Sequence, residues 1–146
     1  MATFIRPATD ADRVELAQTM CEADRNELQH LRQTPETALE LVAGTEAFTV
    51  EREGRVVAIF GVIPLDGYGR IWMLSTDEST KCASVSRTAR RFVKAQAERH
   101  GFLTNIVWAK NKSHLNWIDW LGFHFLDVEI HNEQKFIRFG LPGGRS

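Results

Sequence analysis

Asn105 to Phe125, NIVWAKNKSHLNWIDWLGFHF, is the stretch whose reading decides the fold. It opens on the apolar run Ile106-Val107-Trp108-Ala109, short and β-branched enough to be a buried strand. Asn111 stands where a new helix needs an oxygen for its free N–H groups, so it is expected to be the N-cap. Leu115, Trp117, Ile118, Trp120 and Leu121 give that helix a broad apolar side, and Gly122 supplies a left-handed stop. Phe123 and Phe125 lead into another strand.

The pattern continues outward in both directions. Upstream, Lys81 to His100 reads as a long helix with Val85, Ala89, Phe92, Val93 and Ala97 on one side, closed by Gly101. Before it come strands at Phe48–Val50, Val56–Ile63 and Arg70–Thr76, the first two joined by a tight turn at Glu53-Gly54. Val56–Ile63 is apolar except for Gly61, as a strand covered on both faces should be, and Pro64 is expected to end it. Leu65 to Gly69 is expected to be a loop whose two glycines take unusual backbone angles.

At the start, Thr3–Ala8 reads as a strand and Thr9-Asp10-Ala11-Asp12 as a capping box. Val14, Leu16, Ala17, Met20 and Cys21 follow at helical intervals, while the polar run Asp24–Arg32 predicts a break into two pieces. Pro35 suits the first turn of a further helix that Gly44 stops. Downstream, Phe123–Ile130 and Gln134–Phe139 form a final hairpin, with a frayed Gly-Gly-Arg-Ser tail. The order is strand, helices, three strands, long helix, strand, short helix, two strands. It predicts an α/β (α+β) domain spanning residues 1–146, with a mixed sheet of about seven strands and helices on both faces.

At 146 residues the chain can bury a full core without staples, and a net charge of −1 argues against wholesale polyanion binding. Cys21 and Cys82 form no disulfide framework and no metal-ligand spacing, which suits a reducing compartment. No leader-like or membrane-spanning apolar run is present, so a soluble intracellular domain without a metal is expected. No Ser-His-Asp or Walker pattern appears.

The strand, Asn-started short helix and Gly-Phe restart resemble the second signature block of the GNAT superfamily, the acyl-CoA N-acyltransferases. Asn111, His114, Trp117, Ile118, Gly122 and Phe123 fall at that block's positions. Two identities depart: His114 replaces a small residue, and Ile118 stands where many members carry a general-acid Tyr. The resemblance implies a mostly antiparallel sheet whose fourth strand and following helix hold the pyrophosphate of acetyl-CoA. Counting back from Gly101, Lys81-Cys82-Ala83-Ser84-Val85-Ser86 lies over the family's phosphate loop. Lys81 replaces a leading Arg or Gln, while Ser84 and Ser86 replace small residues.

Under this reading Lys81 and Arg87 neutralise phosphate, backbone near Leu74 and Thr76 holds the pantetheine amide, and Asn111 lies beyond the next strand. Weak acetyl-CoA binding is expected, because the missing glycines restrict backbone approach. The plainer alternative for Arg87, Arg90, Arg91, Lys94 and Arg99 is a solvated helix face. Glu129, Asp127, His114 and His131 are candidate bases that spacing does not separate; Glu129 and His114 stand as the catalytic candidates.

A narrower resemblance is to the small internal virion proteins of short-tailed phages, themselves considered GNAT-like. It rests on Thr3-Phe4-Ile5-Arg6-Pro7, on Ile71–Asp77, and on Val107-Trp108 through Asn111-Lys112-Ser113-His114 to Gly122. It implies virion-core or host proteins as partners, the host cytoplasm and the virion as locations, and a binding role with a degenerate acetyl-CoA site. The alternative function is an active acetyl-CoA-dependent N-acetyltransferase acting on a small amine or a protein amine.

Overall fold

Alternating apolar strands and amphipathic helices assemble around one sheet in the computed structural model, which describes residues 3–78 and 83–143, with backbone alone for 83–86. Lys81, Cys82 and the last residues of the tail lie outside the described residues. The chain runs β1 (Thr3–Pro7), α1 (Asp10–Thr19), α2 (Glu22–His30), α3 (Pro35–Leu41), β2 (Ala47–Arg52), β3 (Arg55–Leu65), β4 (Tyr68–Ser75) and α4 (Ala83–His100). It continues through β5 (Phe102–Trp108), α5 (Lys112–Trp120), β6 (His124–His131) and β7 (Gln134–Pro142). The seven strands lie in the order β1-β2-β3-β4-β5-β7-β6. Neighbours are antiparallel except β4 and β5, which α4 connects as a parallel crossover.

Helices cover both faces. Leu16, Met20, Leu28 and Leu39 of α1–α3 pack with Val56 and Ile59 on one side. On the other, Ala89, Val93 and Ala97 of α4 and Ile118 of α5 meet Ile71, Leu103 and Val107. Ile118 is 7% exposed, whereas Trp120 is 41% exposed and lies under the Arg90 guanidinium, 5.0 Å from its ring centroid. Among the described residues no helix is long and apolar enough to cross a membrane.

The first turn of α1 carries the expected capping box: Asp12 N–H donates to Thr9 Oγ1 at 3.2 Å and Thr9 N–H to Asp12 Oδ2 at 2.9 Å. Asp12 also takes a two-pronged bond from Arg6 at 2.7 and 2.9 Å and the Thr49 hydroxyl at 2.8 Å. The expected break falls between Met20 and Cys21, where Cys21 N–H donates to Ser75 O at the end of β4, 2.9 Å away. That bond pins the start of α2 beside the middle of the sheet.

Two expectations are corrected. Pro64 does not end β3; it pairs with Gly69 beyond the last β2 contact at Gly61, where its missing N–H has no neighbouring strand to serve. Residues 65–69 are not a loop but a tight turn at Asp66-Gly67, with β4 already under way at Tyr68. Only Gly67 needs its positive φ, +84°. Gly69 is needed for space, since a Cβ there would lie 2.6 Å from Val62 Cγ1 and 2.9 Å from Leu103 Cδ2.

Candidate functional site

Gly69 marks the place where β4 and β5 touch most closely. Their ladder consists of Gly69 with Leu103 and Arg70 with Thr104, after which the strands diverge. Asn105 is the wedge at the fork: its Nδ2 donates to Ile71 O at 2.7 Å and its Oδ1 accepts from Ile106 N–H at 2.7 Å. A cavity of about 660 Å³ opens in and around the gap, within the usual ~300–1,000 Å³ of small-molecule sites.

A gap inside a sheet exposes backbone groups that need partners. Side chains supply most of them here. On the β5 side, Trp108 N–H donates to Glu27 Oε1 at 3.0 Å. On the β4 side, Ser75 N–H donates to Asp24 Oδ2 at 2.9 Å, and Ser75 O is taken by Cys21 N–H. Since N–H and C=O directions alternate along a strand, Ile71, Met73 and Ser75 all face the gap. No strand pairs with Met73 on its gap-facing side, because the described β4–β5 ladder ends at Arg70 and Thr104.

The carboxylates that close the gap come from one face of α2. Asp24 and Glu27 are three residues apart, hence neighbours on the helix surface. Between them sits Asn111, fully buried, whose Nδ2 donates to Asp24 Oδ1 at 3.0 Å and to Glu27 Oε1 at 3.1 Å. This corrects the N-cap reading: Asn111 starts α5, but its side chain makes no capping bond. His114, one turn into α5, brings Nε2 within 3.2 Å of Asp24 Oδ1, off the direction of a hydrogen bond. Its side chain is 11% exposed and that of Asp24 is 1% exposed.

Burial pushes the Glu27 carboxyl above the ordinary carboxylate range, against the opposing pull of His114, the Trp108 N–H and Asn111. Both of its hydrogen bonds are accepted by Oε1, so Oε2 is free to meet a further donor. Burial also pushes the nearby Cys21 thiol up to about 11, which leaves it un-ionised and a poor nucleophile at neutral pH. Glu27, His114, Ile118 and Met73 all line the cavity.

The other anticipated residues lie as follows. The backbone of Leu74 belongs to the β3 side of β4, and Thr76 N–H and Oγ1 both bond Val57 O, at 2.9 and 3.2 Å. The gap-facing backbone is therefore Met73, one residue from Leu74. Glu129 is not brought to the cavity; it lies on the outer strand β6, bonded by Arg138 and by His131 at 3.0 Å. Those partners, Arg138 first, hold its carboxyl below the usual range. Asp127 shares that exposed strand. Ala83, Ser84, Val85 and Ser86 form the first turn of α4, and Arg87 is exposed on the next. Lys81 and Cys82 belong to the segment outside the described residues.

Sequence reasoning missed Asp24 and Glu27. The signal was present in the polarity of EADRNELQH, a helix with two acids at helical spacing on its buried side.

No protein-family model matches this chain, and no curated protein matches it. Solved structures do. The ribosomal-protein-S18-alanine N-acetyltransferase from Escherichia coli superposes with a TM-score of 0.69 at 14% identity, over 99% of this chain and 96% of that one. The spermidine N-acetyltransferase from Vibrio cholerae, solved with CoA and spermine, gives 0.69 at 12% identity, over 96% and 95%. An acetyltransferase of the GNAT family from Streptococcus pneumoniae gives 0.65 at 14%, over 98% and 100%. At such identities the likeness is one of fold: this chain has the mixed, mostly antiparallel seven-stranded fold of the GNAT N-acetyltransferases.

Proposed function

We propose that this chain is an acyl-CoA-dependent N-acyltransferase, with the gap between β4 and β5 as its acyl-donor slot and Glu27 as its base. The observation that carries the reading is the unpaired edge at Met73 beside a buried carboxylate. An extended, amide-bearing arm such as pantetheine pairs with one strand edge as an added strand would. Met73 N–H and C=O offer that edge on β4, between the positions that Asn105, Asp24 and Cys21 occupy. The helix start at Ala83 follows β4 on the same side of the sheet as α5, where its free N–H groups favour an anion. Lys81, Ser84, Ser86 and Arg87 are proposed to meet the pyrophosphate there.

A bound acyl thioester supplies an electrophilic carbonyl. The residues of this chain supply the rest. Glu27, held in place by Trp108 N–H and Asn111, takes a proton from the incoming ammonium through Oε2, and its raised proton affinity suits that role. Asn111 keeps Asp24 and Glu27 apart in charge while holding both in position.

Thermal unfolding at rising acetyl-CoA tests the slot. A ligand bound only by the native state stabilises it by RT ln(1 + [L]/Kd), about 2.7 kcal/mol at a hundred times Kd, which is several degrees. Met73→Pro, which removes the gap-facing N–H without taking a ladder bond from β3, should reduce the shift while Met73→Ala keeps it. Absence of any shift at millimolar acetyl-CoA would refute the reading.

A second reading is association with other proteins, which the phage resemblance would make virion-core or host proteins; one feature suits protein association in general. The outer strand β6 presents Phe125, Leu126, Val128 and Ile130 to solvent, 43% to 63% exposed, beside an unpaired edge. Partner proteins cover such edges. Val128→Lys together with Ile130→Lys should abolish co-purification with particles or host proteins and leave the acetyl-CoA shift unchanged.

A further inference from the structure

We propose that His114 is the proton donor to the departing sulfur, taking over from one helical turn away the role that Ile118 cannot fill. The inference rests on the acyltransferase reading above. His114 and Ile118 are four residues apart on α5, so they share a helix face, and both line the cavity. Ile118 spends its side chain in the core. His114 faces Asp24 with Nε2, buried and without a hydrogen bond, which leaves Nδ1 as the nitrogen assigned to the ligand in this proposal.

The charged groups beside His114 are Asp24, 3.2 Å away, and Glu27, which feels it electrostatically; both come from α2. Its own helix contributes no acid in the first turn. Of the other ionisable groups lining the cavity, Arg70 and Arg138 are too basic to give up a proton. Tyr68 stands at the first residue of β4, at the joined end of the fork, five residues before Met73 and about 16 Å along the strand. His114 lies at the open end, with Glu27.

The protons balance. Glu27 takes one from the ammonium, which makes nitrogen nucleophilic. As the C–N bond forms and the C–S bond breaks, sulfur leaves with the bonding pair and takes the proton on His114. The surplus proton on nitrogen returns to neutral His114, and the proton on Glu27 passes to water. One amide, one thiol and one proton result from one ammonium and one thioester.

The CoA-induced thermal shift should persist in His114→Gln, which reports that the variant folds and binds, and turnover is then read with two thioesters. His114→Gln should lose about 10²–10⁴-fold with acetyl-CoA, and less than about tenfold with the acetyl ester of an acidic aryl thiol, which leaves unaided. Equal losses with both esters would overturn the role of His114 alone. A wild-type protein with no CoA-induced thermal shift would overturn the acyltransferase reading and this inference with it.

Discussion

Replacing Asn111 by alanine separates the two things an asparagine can do at a helix start. As an ordinary N-cap it would contribute about 1 kcal/mol, with little dependence on pH between 5 and 8. In the folded protein it instead makes two bonds, of 3.0 and 3.1 Å, to two carboxylates in a fully buried setting. Hydrogen bonds to charged groups contribute about 1.5–3 kcal/mol each, so their joint loss amounts to roughly 3–6 kcal/mol. Asp24 keeps its two bonds from Ser75, and Glu27 keeps the Trp108 N–H. Water entering the vacated space offsets a further part, so the expected loss is about 3 kcal/mol.

The loss should depend on pH. Without the bridging amide, Asp24 and Glu27 repel whenever both are ionised. Glu27 holds its proton above the usual range, so lowering pH relieves the repulsion early. Urea unfolding of Asn111→Ala at pH 8 and pH 5, each against the wild type, should therefore show the larger deficit at pH 8. A deficit near 1 kcal/mol, equal at the two pH values, would show that Asn111 is only a cap.

Three further outcomes are expected. Glu27→Gln should abolish thiol release yet match or exceed the wild type in stability at pH 8; a folded-state affinity for the proton above the unfolded value means that stability falls as pH rises through that window, and glutamine removes the fall. Activity retained in Glu27→Gln would exclude it as the base. Asp12, held well below the usual carboxylate range by Arg6, has the opposite sign: its stabilisation is present above pH ~4 and lost as acid protonates it, so Asp12→Asn should flatten the acid side of the stability profile. An unchanged acid limb would contradict this. Gly69→Ala, whose Cβ meets Val62 at 2.6 Å and Leu103 at 2.9 Å, should cost about 1–3 kcal/mol by calorimetry and weaken acetyl-CoA binding by shifting the fork; a neutral effect on both would show that the junction yields freely.

The sequence by itself determined the order of elements and hence the fold. The strands from Phe48 onward, the long helix ending at Gly101 and the short helix ending at Gly122 are local patterns, set by spacing of apolar residues and by turn chemistry. The β6–β7 turn shows how far such patterns reach: Asn132 and Glu133 carry positive φ without a glycine, yet the flanking strands alternate plainly enough to be found. His114 was likewise legible as an unusual residue at a family position. What only the tertiary structure decided is where the polar residues meet. Asp24 and Glu27 are more than eighty residues from Asn111 in sequence, and no spacing rule links them. The bond from Cys21 N–H to Ser75 O sets α2 beside the fork, and the fork itself depends on Gly69 and Asn105 acting from different strands. Asn111 looked like a cap because capping is a local bond; its buried position beside two carboxylates gives its amide stronger partners than the helix start does, and that competition exists only once the chain has folded.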